Sequence, residues 1–271
     1  MEGRGVSLGD GDSTLGPSTS YAYPSLNHTR LSDWAVVYEP SDDTFLMEDA
    51  LKGEAPWLRN RFPSGCIFAE LGPGSGYLSA VFERLYCGRE LSLSSAEALA
   101  ANEVGRTATA RGTALGPGSR GTFLVSVDVN PAACALTKRT LDENVTSAHD
   151  QVGGDLLCCV RDGMALDVVL FNPPYVPTPD AEVAGGGIEA SWAGGARGRV
   201  VIDRLVPLLK SRLARPLGVL YLLLLDENNP DEVAKYIEEE CGMQAHIAAL
   251  PKRFQNERLR VLRFTVKENV V

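Results

Sequence analysis

The chain has 271 residues, of which 44% are hydrophobic and 23% charged, which suits one globular α/β domain with insertions. The formal net charge of −9 argues against tight, unaided binding to nucleic acid, because phosphate contacts need clustered Lys and Arg. The longest apolar run, residues 219–225, is too short to cross a bilayer, and the N-terminal residues match neither a signal peptide nor a transit peptide.

The cysteines and histidines predict no metal site and no disulfide framework. The six cysteines are scattered without a CxxC pair, and the three histidines lie far apart in the sequence. Reduced thiols are the simplest interpretation of this pattern. We therefore expect a cytoplasmic protein, with the nucleus as an additional location.

The N-terminal part of the chain predicts a tail followed by a helix and a strand–loop–helix unit. Residues 1–32 are rich in Gly, Ser, Thr and Asp, which is typical of a disordered tail. Residues 38–51 predict a turn and then a helix that Ser41 can cap. Residues 66–71 form a short apolar strand pattern, and the helical pattern of residues 77–86 follows a glycine-rich loop.

An insertion is predicted inside the domain that spans residues 33–271. Residues 88–121 are biased toward Ala, Gly, Ser and Thr, and a helix is expected near residues 94–103.

The rest of the chain alternates between strands and helices. Strands are predicted at residues 122–130, 167–171, 218–226, 245–250 and 257–266, and helices at residues 131–144, 197–213 and 229–240. Pro131 suits the first turn of a helix, whereas Pro207 is expected to kink its helix or to start a new segment. This order predicts a Rossmann-like α/β fold with a mostly parallel seven-stranded sheet, ending in an antiparallel strand pair.

The sequence "ELGPGSG" lies between a predicted strand and a predicted helix. Glycines in this position let a ligand approach the backbone, and the helix N-terminus offers free N–H groups. The spacing is GxGxG, not the GxGxxG of dinucleotide-binding folds, and a simple tight turn is the alternative. Glu70 would repel a pyrophosphate, so we expect a cationic or amino-bearing ligand.

Two further acids follow predicted strands. Ligands of doubly wound sheets bind at the carboxyl ends of the strands, where Asp128 could accept both hydroxyls of a ribose. Asp128 could instead cap the helix that begins at Pro131. Asp155 follows a weak third strand and could accept from an adenine amino group, although it could also be an ordinary turn residue.

The sequence "NPPY" at residues 172–175 ends a buried strand. The two prolines remove backbone donors and leave nearby carbonyls free to accept hydrogen bonds. The Asn172 side-chain carbonyl and a backbone carbonyl could hold a planar NH₂ group by both hydrogens, with Tyr175 packed over it. A strand terminator, which is the alternative, would need neither the Asn nor the Tyr.

Together with "EPSDDTF" and "GIEASWAGG", these motifs make the chain resemble the eukaryotic and archaeal branch of the HemK-like protein-glutamine N5-methyltransferases. These are class I S-adenosylmethionine-dependent enzymes that modify translation termination (release) factor one. The resemblance runs from about residue 38 to 266, apart from the insertion. "NPPY" alone is shared with adenine-N6 methyltransferases of nucleic acids, whereas the other two motifs are more specific to this branch.

The resemblance implies S-adenosylmethionine as the cofactor and assigns residues to it. Thr44 and the turn from Glu70 to Gly72 would hold its methionine part, with Gly74 and Gly76 shaping the loop. The remaining cofactor residues would be Asp128 at the ribose, Asp155 and Leu156 at the adenine, and Asn172.

The resemblance also implies the reaction, the substrate and a partner. Asn172, Pro173, Pro174 and Tyr175 would form the catalytic motif, and all but Pro174 would contact the glutamine of the Gly-Gly-Gln motif of the release factor. Family members usually pair along a sheet edge with a small zinc-binding activator protein, so we expect a heterodimer, without membrane or direct nucleic-acid binding.

Three alternatives remain at this stage. The same site could serve a protein-lysine methyltransferase or an adenine-N6 nucleic-acid methyltransferase, and a catalytically silent binding subunit could keep the fold. The intact Glu70, Asp128 and Asn172 argue against a silent subunit.

The "GIEASWAGG" segment could be a lid that closes on substrate or only the lead-in to a helix. The basic stretch of residues 252–263 could be a solvated strand face or a surface for an acidic or RNA-bearing partner.

Overall fold

The computed structural model describes residues 23–88, 121–161, 163–183, 187–254 and 257–266. The predicted tail up to residue 22 and residues 89–120 of the predicted insertion, including its expected helix, lie outside the described residues. The helices are α1 (Asp42–Arg61), α2 (Tyr77–Cys87), α3 (Pro131–Asn144), α4 (Asp180–Val183), α5 (Val200–Arg212) and α6 (Pro230–Cys241). The strands are β1 (Gly65–Leu71), β2 (Gly121–Asp128), β3 (Ala148–Gly153), β4 (Val168–Phe171), β5 (Val219–Leu225), β6 (Met243–Phe254) and β7 (Glu257–Val266).

The strands form one seven-stranded sheet in the order β3-β2-β1-β4-β5-β7-β6. The first five strands in this order are parallel to one another, whereas β7 pairs antiparallel with both β5 and β6. The predicted fold class, including the antiparallel C-terminal pair, is confirmed. In the part of the chain that the structure describes, no helix is long and apolar enough to cross a membrane.

Strand β5 shows why the sheet is covered on both faces. All seven of its residues are buried, and successive side chains point to opposite faces of the sheet. Val219, Tyr221 and Leu223 join the core formed with α1 and α2, whereas Leu220 and Leu222 join the core formed with α5 and α6. The protein is therefore a three-layer α/β/α sandwich.

Helix α5 decides between the two expectations for Pro207. The helix runs through Pro207, so no new segment begins there, and a kink at this proline remains a prediction. Leu205, Val206 and Leu209 are almost completely buried against the sheet. This packing outweighs the loss of one backbone hydrogen bond at the proline.

Residues 23–38 lie along α3 and reach the carboxyl edge of the sheet. The Ser25 N–H donates to Asn144 Oδ1 at 2.7 Å, and His28 Nε2 lies 2.9 Å from Thr140 Oγ1. At the other end of α3, Asn130 Nδ2 donates to the Val36 carbonyl at 2.7 Å. The domain boundary at residue 32 remains a prediction.

Three cations of the basic stretch form intramolecular ion pairs. Arg260 pairs with Asp226 at 2.7 Å, Arg263 pairs with Glu54, and Lys252 pairs with Asp49. These pairs connect β6 and β7 to α1 and to the end of β5. The arrangement favours a structural role for the stretch over a phosphate-binding surface.

Candidate active site

The three strongest sequence motifs converge because they follow three adjacent strands. Leu71, the last residue of β1, is in register with Val127 of β2 on one side and Phe171 of β4 on the other. Parallel strands end at the same edge, so the loops after all three strands meet there. Gly72, Asp128 and Asn172 consequently line one cavity of about 330 Å³.

Most of the predicted site residues line this cavity. They are Thr44, Glu70, Gly72, Gly74, Asp128, Asp155, Leu156, Asn172, Pro173 and Pro174. Two predicted residues, Gly76 and Tyr175, lie outside the lining.

Gly76 supports the glycine-rich loop from behind. Its φ of +78° favours glycine, and an added Cβ would lie 2.9 Å from Thr137 Cγ2 of α3. Gly76 directly precedes α2, so the residue lets the loop turn into the helix while touching α3.

Tyr175 lies behind the cavity wall. Its side chain is buried in the core cluster that includes α1 and α2. Burial raises the pKa of the Tyr175 hydroxyl, and the negative charge of Asp43 raises it further. The predicted packing of Tyr175 over a substrate amide remains a prediction, and the ring is placed to support the loop from its inner side.

Glu70 is almost completely buried at the end of β1. Its carboxylate accepts a hydrogen bond from the Ser79 hydroxyl of α2, and Ser79 also contacts Ser126 at 3.3 Å. Burial raises the pKa of Glu70 to about 8, and the nearby charge of Asp128 acts in the same direction. A cation entering the cavity would favour the ionised form of Glu70.

Asp128 and Asp155 occupy the next two loops. Asp128 accepts from the Asn130 N–H at 2.9 Å and from the Gly74 N–H at 3.4 Å, and burial raises the pKa of its carboxyl. Asp155 forms an ion pair with Arg204 of α5, which also lines the cavity. The site predicted from these two acids therefore includes a guanidinium that the motifs did not indicate.

Asn172 has a side chain with one hydrogen-bonded end and one free end. Its Nδ2 donates to Asp43 Oδ2 at 3.0 Å. Its Oδ1 is buried and has no hydrogen-bond partner among the described residues. An unpartnered buried acceptor is costly, so this oxygen is suited to receive an N–H donor from a ligand.

The segment at residues 188–198 packs against the "NPPY" loop. The Val176 N–H donates to the Trp192 carbonyl at 3.0 Å, and the Gly194 N–H donates to the Val176 carbonyl at 2.8 Å. Gly198 has a φ of +66°, and an added Cβ would lie only 1.9 Å from the Tyr175 carbonyl oxygen. Residues 192–198 therefore form part of the wall beside the "NPPY" loop in this structure. The role of the segment as a lid remains a prediction.

The comparisons with known proteins identify the family. No protein-family model matches the chain. The chain is 34% identical over 249 residues to human methyltransferase HEMK2, covering 91% of this chain and 97% of the human protein. It belongs to the HEMK2 family of HemK-like methyltransferases.

Two other relatives agree with this assignment. The eRF1 methyltransferase catalytic subunit mtq2 of Schizosaccharomyces pombe is 27% identical over 226 residues, covering 80% of this chain and 84% of that protein. The solved E. cuniculi Mtq2–Trm112 complex, responsible for methylation of the eRF1 translation termination factor, matches with a TM-score of 0.51 and 27% identity. That match covers 85% of this chain and 99% of the solved one.

The cofactor of this HEMK2-family protein is S-adenosylmethionine, and the residues of the cavity fit it. Four acids line the cavity, namely Asp43, Glu70, Asp128 and Asp155, against the single guanidinium of Arg204 among the described lining residues. S-adenosylmethionine carries a sulfonium, an ammonium and one carboxylate group, so its net positive charge matches the excess of acids over cations in the lining. The volume also falls within the range of small-molecule sites.

Sequence reasoning missed Asp43, Tyr38 and Arg204. Asp43 lies within "EPSDDTF", where its position in the first turn of α1 suggested only an interaction with the helix dipole. Its burial distinguishes it from the exposed Asp42 beside it, but burial could not be read from two adjacent acids. Tyr38 and Arg204 lie beside the "EPSDDTF" and "GIEASWAGG" motifs that carry the family resemblance, but neither residue had been assigned a role.

Proposed function

We propose that this protein transfers a methyl group from S-adenosylmethionine to the side-chain amide nitrogen of the glutamine in the Gly-Gly-Gln motif of translation termination factor one. The observation that carries the proposal is the unpartnered, buried Oδ1 of Asn172 at the edge of the cavity. The relatives from S. pombe and E. cuniculi that act on eRF1 support the choice of substrate.

The chain's task is to hold the acceptor nitrogen in line with an already activated methyl group. When bound, S-adenosylmethionine supplies that methyl group from its sulfonium. Thr44, Glu70, Gly72, Gly74, Asp128, Asp155 and Leu156 would hold the cofactor, since all of them line the cavity. Asn172 and Pro173 lie in the same lining and would hold the substrate amide.

An amide nitrogen is a poor nucleophile because its lone pair is delocalised into the carbonyl. Asn172 Oδ1 and the Pro173 carbonyl would accept one hydrogen bond each from the substrate NH₂. Two such acceptors orient the nitrogen and favour the positive charge that develops on it. Among the described lining residues there is no His, Lys or Cys to act as a base. Loss of the proton after transfer, to water or to a carbonyl, is therefore part of the proposal.

The alternatives gain no support. An adenine-N6 enzyme would need a basic face for nucleic acid, and Lys252, Arg260 and Arg263 are engaged with acids of this chain. No observation favours a lysine substrate over glutamine.

A partner is part of the proposal. The E. cuniculi protein was solved with Trm112, and we propose a heterodimer with a small protein of this kind. Strand β3 supplies a suitable surface, because it lies at one edge of the sheet and its side chains are only half-buried or exposed. Phe123 on the neighbouring strand β2 is exposed and adds apolar area beside that edge.

The proposal also includes a cytoplasmic location, which fits the six free thiols.

The deciding experiment is transfer of label from S-adenosylmethionine to recombinant termination factor one. The enzyme is co-expressed with its Trm112-type partner, and the substrate is used with and without a Gln→Ala change in the Gly-Gly-Gln motif. Label on the glutamine form alone supports the proposal. Equal label on both forms, or none on either while the cofactor still binds, contradicts it.

A further inference from the structure

The side-chain amide of Asn172 has two possible orientations that differ by a half-turn. In the observed orientation, Nδ2 faces Asp43 Oδ2 at 3.0 Å and Oδ1 is left as the free acceptor. After a half-turn, Oδ1 would face the Asp43 carboxylate and Nδ2 would take the free position. Two acceptor oxygens would then oppose each other, and the site would lose its acceptor.

Asp43 is itself held in place by donors on its other oxygen. Oδ1 accepts from the Thr44 N–H at 2.7 Å, from the Thr44 hydroxyl at 3.3 Å and from the Tyr38 hydroxyl at 3.3 Å. Burial raises the pKa of Tyr38 to about 12, so this hydroxyl keeps its proton at neutral pH. Asp43 is 5% exposed, so solvent competes little for its carboxylate. Oδ1 of Asp43 therefore accepts from Thr44 and Tyr38, which leaves Oδ2 to accept from Asn172.

We propose that Asp43 is a positioning residue that fixes the orientation of the Asn172 amide and thereby presents Oδ1 to the substrate nitrogen. The proposal rests on the function proposed above, in which that oxygen accepts from the substrate NH₂. A hydrogen bond to a carboxylate is stronger than one to a neutral group, and it polarises the amide so that Oδ1 becomes a better acceptor.

The proposal can be tested by exchanging the donor and acceptor groups of the side chains at positions 43 and 172. The test is possible because the backbone N–H of Thr44 can only donate and so fixes the orientation of the side chain at position 43. In Asp43→Asn, the new side chain would keep its oxygen toward this N–H, because a backbone donor cannot reverse. The NH₂ group of the new side chain would then face Asn172. In response, Asn172 would turn its Oδ1 toward that NH₂ group and its own Nδ2 toward the substrate. The variant is nearly isosteric, yet it would remove the acceptor from the site.

A second change should restore the acceptor. In the double variant Asp43→Asn/Asn172→Asp, the new carboxylate at position 172 accepts from the NH₂ at position 43 with one oxygen. Its other oxygen is then free for the substrate.

The experiment measures kcat, KM and cofactor affinity for the wild type, Asp43→Asn and the double variant, each in complex with the partner. Asp42→Asn is the matched control, because Asp42 is the exposed neighbour in the same helical turn. We expect Asp43→Asn to lower kcat about a hundredfold while cofactor affinity falls much less, since Glu70, Asp128 and Asp155 keep their carboxyl groups in the lining. The double variant should recover at least about tenfold of the loss in kcat. Full activity in Asp43→Asn, or a folded double variant no better than Asp43→Asn, would overturn the proposal. If Asp43→Asn fails to fold, the double variant must fold and transfer methyl groups.

A second readout does not depend on the substrate. The side-chain NH₂ of Asn172 can be followed by ¹H–¹⁵N NMR of the complex, with its signal assigned by its loss in Asn172→Asp. In the wild type, the N–H bonded to Asp43 should exchange slowly with water, and in Asp43→Asn the NH₂ should exchange faster because it faces the cavity. Unchanged exchange overturns the inference even if the wild type methylates the factor. A wild type that fails to methylate the factor overturns only the proposed function.

Discussion

The side chain of Asn228 holds the backbone of Tyr175, although 53 positions separate the two residues. Asn228 Nδ2 donates to the Tyr175 carbonyl at 2.8 Å and to the Arg197 carbonyl at 2.9 Å, while its Oδ1 accepts from the Leu225 N–H at 2.7 Å. Asn228 is completely buried. One amide therefore joins the "NPPY" loop, the loop before α5 and the end of β5.

We expect Asn228→Ala to lower both stability and activity. The change leaves the Leu225 N–H and two carbonyls buried without this partner, which should cost about 3 kcal/mol in the free energy of unfolding. Urea unfolding gives the stability, and kcat should fall because the "NPPY" loop loses an anchor. Asn27→Ala, at an exposed position, is the control. An Asn228→Ala midpoint equal to that of the control would show that the junction is held by other contacts.

Gly→Ala substitutions at Gly198 and Gly242 form a matched pair that tests how closely residues 192–198 pack against the "NPPY" loop. Both have positive φ, +66° and +64°, but an added Cβ at Gly198 meets the Tyr175 carbonyl at 1.9 Å, whereas nothing lies within 4 Å at Gly242. Gly242→Ala should cost about 1 kcal/mol in unfolding free energy for its backbone conformation alone. Gly198→Ala should cost at least about 3 kcal/mol and should also reduce transfer. Equal losses in thermal or urea unfolding would contradict the close packing of the two loops.

Glu70 should make cofactor binding dependent on pH. Its folded-state pKa of about 8 lies above the usual 4.5, so its contribution to stability is complete below pH 4.5 and is lost as the pH rises through 8. The cationic cofactor favours the ionised carboxylate, so affinity should rise with pH up to about 8 and binding should release a proton.

Calorimetric titration in buffers of different ionisation enthalpy measures that proton. Glu70→Gln should abolish the pH dependence and weaken binding about tenfold at about pH 8.5. Glu239→Gln, an exposed change on α6, should behave as the wild type. Proton release that persists in Glu70→Gln would assign the titration to another group.

Asn172→Ala should separate cofactor binding from methyl transfer. The change removes the acceptor for the substrate amide and should lower kcat by at least about a hundredfold. Cofactor affinity should weaken less than about tenfold, since the glycine loop and Asp128 remain. Turnover equal to that of the wild type would exclude Asn172 from the reaction.

The site residues at the strand ends could be predicted from the sequence, because each of them is marked by the residues directly beside it in the chain. Glu70, Asp128 and Asn172 lie at the ends of apolar runs, and the geometry of a parallel sheet brings such positions to one edge. The contacts of Asp43 and Asn228 could not be predicted in this way. Each depends on a partner on a different segment, and neither residue type nor spacing shows which Asp or Asn is buried.

The surroundings of Tyr175 also depend on distant segments. Local sequence does not determine on which side of the loop the ring lies, and the ring packs in the core around α1 and α2 while Asn228 holds the backbone carbonyl. The packing of the ring over a substrate amide remains a prediction. The continuous α5 helix at Pro207 has a similar cause, since packing against the sheet outweighed local propensity.

The strand order of the sheet determines when each strand can join the sheet during synthesis of the polypeptide. Strand β7 lies between β5 and β6, so β6 leaves the ribosome before the strand that joins it to the sheet has been made. Until residue 266 has emerged, β5 is an uncovered edge formed by a wholly apolar strand, and such an edge can pair with other chains. Synthesis therefore passes through an interval in which the nascent chain carries β5 as an unpaired apolar edge.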